Sequence, residues 1–142
     1  MDVSSIPEDL AALDRWLCWR YEKRGDTYTK VPYNGTTGRH ASSTDPATWT
    51  DLETAIEASK DYDGIGIALG DGLAGVDLDN SIGEDGELKA WAHDIVDRLD
   101  SYTEVSPSGQ GVKVFLLGDI EGERSRRDLE DGHIEMYSEA RY

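Results

Sequence analysis

The chain is 142 residues long, the size of one domain with a single core, and 37% of its residues are apolar, including four Trp. Its 30 acidic residues against 14 basic ones give a net charge of −16, which normally argues against nucleic acid, because phosphate contacts need Lys and Arg. No apolar run approaches the ~20 residues of a bilayer span, and the opening MDVSSIPEDL lacks the basic flank and apolar stretch of a signal peptide, so the sequence reads as a cytoplasmic protein without a membrane partner.

Taken in chain order, SIPEDLAALD begins as a short helix, with Ser5 as its cap and Pro7 in the first turn. WLCWRYEKRGDTYTKVPYN reads as a hairpin: Leu17, Trp19 and Tyr21 alternate with Cys18 and Arg20, and Gly25-Asp26 supply the turn. Cys18 is the only cysteine, so an internal disulfide is excluded, and it suits a small buried apolar position. GTTGRHASST is a polar loop. TDPATWTDLETAIEAS predicts one helix, capped by Asp45, with Pro46 first and Trp49, Leu52 and Ile56 on one stripe.

DGIGIALGDGLAGVDLDN gives two strands around Asp71-Gly72. Leu88, Trp91, Ile95 and Leu99 recur at helical spacing and predict a helix over about residues 87–100. SYTEVSPSGQGVKVFLLG reads as strand, glycine turn, strand; EGERSRRDLEDG as a charged loop; and HIEMYSEARY as a last strand reaching the C-terminus. Helices alternating with strand pairs make an α+β domain, an antiparallel or mixed sheet with flanking helices. A single domain is expected, with an N-terminal part over about 1–60 and a sheet over about 61–142.

In GVDLDNS, strand periodicity puts Asp77 and Asp79 on one face, roughly 7 Å apart, while Val76 and Leu78 point to the core. Glu135 sits on the wet face of the last strand, between Ile134 and Met136. Each acid taken singly also suits a solvated strand face. Three carboxylates meeting across a sheet can instead hold Mg2+ or Mn2+, which prefer hard oxygen donors. Ser106, Ser108, Gly109 and Gly111 form a turn whose hydroxyls and backbone N–H groups suit phosphate, and Lys113 follows as a point charge. The spacing is not that of a Walker loop, which needs a helix after the Lys. Arg124, Arg126 and Arg127 are the only basic cluster, either a solvated loop or a contact to nucleic-acid phosphates. The acids are spread along the chain and there are five Lys to nine Arg. A basic partner would explain the charge, and so would the salty cytoplasm of a halophilic archaeon, where salt screens self-repulsion; the even spread fits the second better.

The order GVDLDN, SYTEVSPSGQGVKVF, HIEMYSEARY resembles the catalytic core of the archaeo-eukaryotic primase superfamily, and most closely the primase-polymerase domains at the N-terminus of phage and plasmid replication proteins. Their hhhDhD strand is matched by Val76, Asp77, Leu78 and Asp79, and their later acidic strand by Glu135. Upstream, the K-x-P stretch at Lys30 precedes a Trp-bearing helix, as in those domains. The resemblance implies a two-lobed core around an RRM-like sheet, with de novo priming and template-directed nucleotide addition. It implies two Mg2+ or Mn2+ ions held by Asp77, Asp79 and Glu135. The triphosphate of the incoming nucleotide would be neutralised by Ser108, Lys113 and either Lys30 or Arg141. Lys113 stands where the family usually has His, and Gly111 where it has Ser. EARY stands where such domains usually continue into a further strand and helices, and often a helicase; the resemblance therefore implies a C-terminally shortened domain, with a helicase in cis or in trans. Two other functions use the same residues: non-catalytic binding of nucleotide or single-stranded nucleic acid, and metal-dependent nuclease action.

Overall fold

A computed structural model describes residues 2–118, 124–139 and 141–142. The chain divides into two compact units, Met1–Ala68 with Ala140–Tyr142, and Leu69–Glu139. Each unit is built on its own open sheet, every strand pairing is antiparallel, and the fold is α+β.

In the first unit, α1 (Glu8–Ala11) precedes β1 (Trp16–Arg24) and β2 (Thr27–Tyr33). The Gly25 turn joins these two strands in register from Arg24 opposite Thr27 to Cys18 opposite Tyr33. The other edge of β1 pairs with β3 (Gly64–Ile67), giving the order β2-β1-β3. Cys18 is fully buried and its Sγ lies 3.5 Å from the Ala55 carbonyl oxygen; burial pushes its thiol pKa up, which keeps it unreactive. The single helix expected after Asp45 is instead two pieces. Asp45 caps a short 3-10 turn, Pro46–Thr48, and Asp51 caps α2 (Leu52–Ala58) by accepting the Thr54 N–H at 2.7 Å. Two capping aspartates six positions apart start two helices, and Trp49 leaves the helical stripe to donate its Nε1–H to the Ser42 carbonyl.

The second unit holds β4 (Leu73–Asp79), α3 (Ala90–Leu99), β5 (Thr103–Val105), β6 (Val112–Leu117), β7 (Arg124–Leu129) and β8 (Gly132–Tyr137), with sheet order β5-β6-β4-β8-β7. β3 and β4 are neighbours in sequence but belong to different sheets. Val76 and Leu78 of β4, Val112 and Val114 of β6, and Ala92 of α3 form a buried cluster, against which Trp91, Ile95 and Leu99 pack. The helix stripe read from the sequence therefore covers one face of the sheet, and the polar face is left for chemistry.

Two expectations change here. The segment read as a charged loop contains β7, paired with β8 from Arg124 opposite Tyr137 to Leu129 opposite Gly132; residues 121–123 of that segment lie outside the described ones. An edge strand is held by backbone hydrogen bonds and needs no apolar face, so RSRRDL carries no alternation signal. The last strand stops at Tyr137 and does not run to the C-terminus. Among the described residues, no helix is long and apolar enough to cross a membrane.

Candidate metal centre

The register of the five-stranded sheet assembles the polar face in rows. Asp77 lies between Lys113 of β6 and Glu135 of β8, and Glu135 in turn lies opposite Arg126 of β7. Two residues further along β4, Asp79 lies opposite His133, which lies opposite Asp128. Successive rows are roughly 7 Å apart, as strand geometry requires. Because Val76 and Leu78 are drawn into the core, Asp77 and Asp79 must face away from it, and both are partly exposed.

The side chains close this pattern into a network. His133 Nε2 is 2.5 Å from Asp79 Oδ2 and 3.4 Å from Glu135 Oε1. Arg126 donates from Nη1 to Glu135 Oε1 and from Nε to Asp128 Oδ1, each at 3.0 Å. The hydrogen bond to Asp128, then its charge and those of Glu135 and Asp79, raise the Arg126 pKa further. Lys113 Nζ lies 3.7 Å from Asp77 Oδ1. One ligand atom from each of Asp79, His133 and Glu135 lies within 4.8 Å of the other two, a spacing a single divalent cation can bridge. Asp77 lies outside that trio but shares its face and is the cross-strand partner of Glu135.

Two glycines fix the position of Asp79. A Cβ on Gly111 would come 2.7 Å from the Leu78 carbonyl oxygen and 3.5 Å from Asp79 Cα, and one on Gly132 would come 2.5 Å from the Asp79 carbonyl oxygen. Both neighbouring strands therefore enter against the end of β4 only because they lack a side chain there. The Gln110 carbonyl accepts the N–H groups of Ser81 and Ile82, tying the Ser106–Gly111 turn to the same end.

That turn differs from the open set of N–H donors read from the sequence. The Gly109 N–H donates to the Ser106 carbonyl and the Gln110 N–H to Ser108 Oγ, because Gly109 at φ +74° closes the loop on itself. Ser108 and Gly109 are exposed, and Gly111 and Lys113 lie in or beside β6 on the way to the acids. Lys30 and Arg141 belong to the first unit, where Lys30 Nζ stands 4.9 Å over the Trp19 ring. Of the basic cluster, Arg126 joins the acidic row, and Arg127 is exposed opposite Ile134. Arg124 lies opposite Tyr137, and its side chain lies outside the described residues.

His133 is the residue that sequence reading missed. In an antiparallel pair, a contact between Asp77 and Glu135 obliges the residue two after the first to face the residue two before the second. Once Glu135 is brought to Asp77, GHIEMY delivers His133 to Asp79.

No family model matches the chain. The DNA primase-polymerase of Nitratiruptor phage NrS-1 is 34% identical over an alignment of 149 residues that takes in all of this chain and 20% of the phage protein. The chain thus spans about one fifth of the length of the relative it matches. From end to end, this chain is homologous to part of a phage DNA primase-polymerase, in keeping with the order of its three motifs.

Proposed function

We propose that the acidic face of the second unit is the nucleotidyl-transfer centre of a DNA primase-polymerase domain, adding nucleotides to a growing strand on a single-stranded DNA template. The observation that carries this is the convergence of Asp79, His133 and Glu135, with Asp77 beside Glu135 in the sheet register. The donor set, carboxylate oxygens and one imidazole nitrogen, fits Mg2+ or Mn2+, and Asp77, Asp79, Glu135 and His133 would hold the cation. Such a cation supplies positive charge for the phosphates and for the attacking oxygen of an in-line displacement.

The chain's own groups set up the rest. Lys113, flanking Asp77, places a positive point charge where the acids meet a polyphosphate. Ser106 and Ser108 bring hydroxyls from a turn anchored to the end of β4. Arg126 holds the Glu135 carboxylate toward the row, and Asp128 holds Arg126. The substrates on this reading are nucleoside triphosphates and single-stranded DNA, and a helicase acting in cis or in trans would expose the template.

The test is extension of a labelled primer on a single-stranded template with dNTPs and Mg2+ or Mn2+. Longer products, lost in Asp77→Ala, support the proposal; no extension by the full chain under either metal overturns it. The same convergent donor set suits one second reading, a metal-dependent nuclease, since a cation held there would equally serve water attacking a phosphodiester. Shortening of the labelled strand would select that reading.

A further inference from the structure

We propose that the outer face of the β1–β2 hairpin binds single-stranded nucleic acid by base stacking. The register places Trp19 opposite Pro32, Tyr21 opposite Lys30, and Lys23 opposite Tyr28. Alternation then puts Trp19, Tyr21, Lys23, Tyr28, Lys30 and Pro32 on one face. Five of these six are an aromatic or a lysine, and none of the six is acidic. In a chain with 30 acids and only five lysines, two of those lysines stand here between aromatic rings. The acid of these strands, Glu22, lies on the opposite face, where it accepts from the Tyr33 hydroxyl.

The face is graded from a fixed root to an open tip. Trp19 is buried, its ring lying over Gly64, where a Cβ would come within 2.6 Å of it. Lys30 Nζ stands 4.9 Å over the Trp19 ring and 5.2 Å over that of Tyr142, whose hydroxyl donates to the Lys30 carbonyl. Tyr21 packs edge-on against Trp19, with ring centroids 5.1 Å apart. Beyond this root, Tyr21 is 44% exposed and Tyr28 68% exposed. They are diagonal neighbours across the hairpin, and diagonal positions are roughly 7–8 Å apart, which leaves each ring a face for a separate base instead of the other ring.

Large, stiff aromatic side chains exposed on a strand face and interleaved with cations are what an unpaired strand requires: every base has a π-face, and the backbone between bases needs positive charge. Asp63, from outside the hairpin, accepts the Tyr21 backbone N–H at 2.7 Å. The inference concerns first-unit residues alone and does not depend on turnover at the acidic face.

The test uses the full chain in EDTA with a labelled oligothymidylate of roughly 20 nucleotides, long enough to cover a stacking site, and oligouridylate as a second probe. Binding is read by fluorescence anisotropy across a salt series. Tyr28→Ala should weaken binding about tenfold with little change in salt slope, Tyr28→Trp should keep it, and Lys23→Gln should lower the slope by about 0.7. Tyr28 is too exposed for its removal to unfold the unit, and Tyr28→Trp controls for the change itself. No binding by the unaltered chain at low salt overturns the inference, as does unchanged binding by both Tyr21→Ala and Tyr28→Ala. Intact binding without extension would count only against the acidic site; extension with hairpin variants that bind normally would count only against this surface.

Discussion

Asp79 and His133 face each other across β4 and β8, with Nε2 2.5 Å from Oδ2, and Glu135 Oε1 completes the group at 3.4 Å from the same nitrogen. An imidazole there should tune which cation binds, since nitrogen donors suit Mn2+ better than Mg2+. His133→Ala is expected to weaken Mn2+ binding by about tenfold or more, with a smaller effect on Mg2+. Mn2+ electron paramagnetic resonance and competition with Mg2+ measure both. Equal losses for the two ions would remove His133 from the donor set.

Gly111→Ala and Gly132→Ala both push a methyl group into backbone at the end of β4. Each should destabilise the chain by about 1–3 kcal/mol, as overpacking does, and also weaken Mn2+ binding by displacing Asp79. Gly109→Ala makes a contrast: its Cβ meets nothing within 4 Å, and its cost, about 1–2 kcal/mol, comes only from the left-handed backbone. Urea unfolding with parallel metal titration separates the two, because Gly109→Ala should leave metal affinity intact.

Asp51 gives a pH dependence with a defined sign. The Thr54 backbone N–H, then the Thr54 side chain, hold its carboxyl below the usual range. A depressed folded value means the stabilisation is complete above the unfolded pKa of about 4 and is lost as pH falls through the folded value. Asp51→Asn keeps a good cap without the charge, so its melting temperature should fall less steeply below about pH 4 than that of the unaltered chain. Parallel slopes in the two proteins would show that the cap carries no such linkage.

A net charge of −16 should make stability rise with salt. The screening length shrinks from about 10 Å at 0.1 M to about 3 Å at 1 M, so the urea midpoint is expected to climb over that range of KCl. A flat or falling midpoint would count against adaptation to high salt.

The site was partly legible in the sequence because β4 alternates cleanly: Val76 and Leu78 are apolar, Asp77 and Asp79 are not. The same periodicity exposed the stripe of α3 and the β1–β2 hairpin around Gly25. What stayed hidden depended on pairing. Nothing in GIGIALGDGL says that β3 joins one sheet and β4 another, because alternation describes faces and not partners. His133 was invisible for the same reason, since its role comes from its cross-strand position. β7 escaped because four of its six residues are charged, and the split at Trp49 because a second cap, Asp51, starts its own helix.

That charged strand has a consequence beyond the site. β7 ends the five-stranded sheet, and the outer edge of such a sheet is a template on which another chain can add a strand. Arg126, Arg127 and Asp128, all exposed, make it a poor template, because an incoming strand would have to strip water from three ionic groups in a row. Neutralising this strand to improve nucleotide access would therefore remove the protein's guard against self-assembly. Variants at Arg126 and Arg127 should be judged by light scattering before their activity is interpreted.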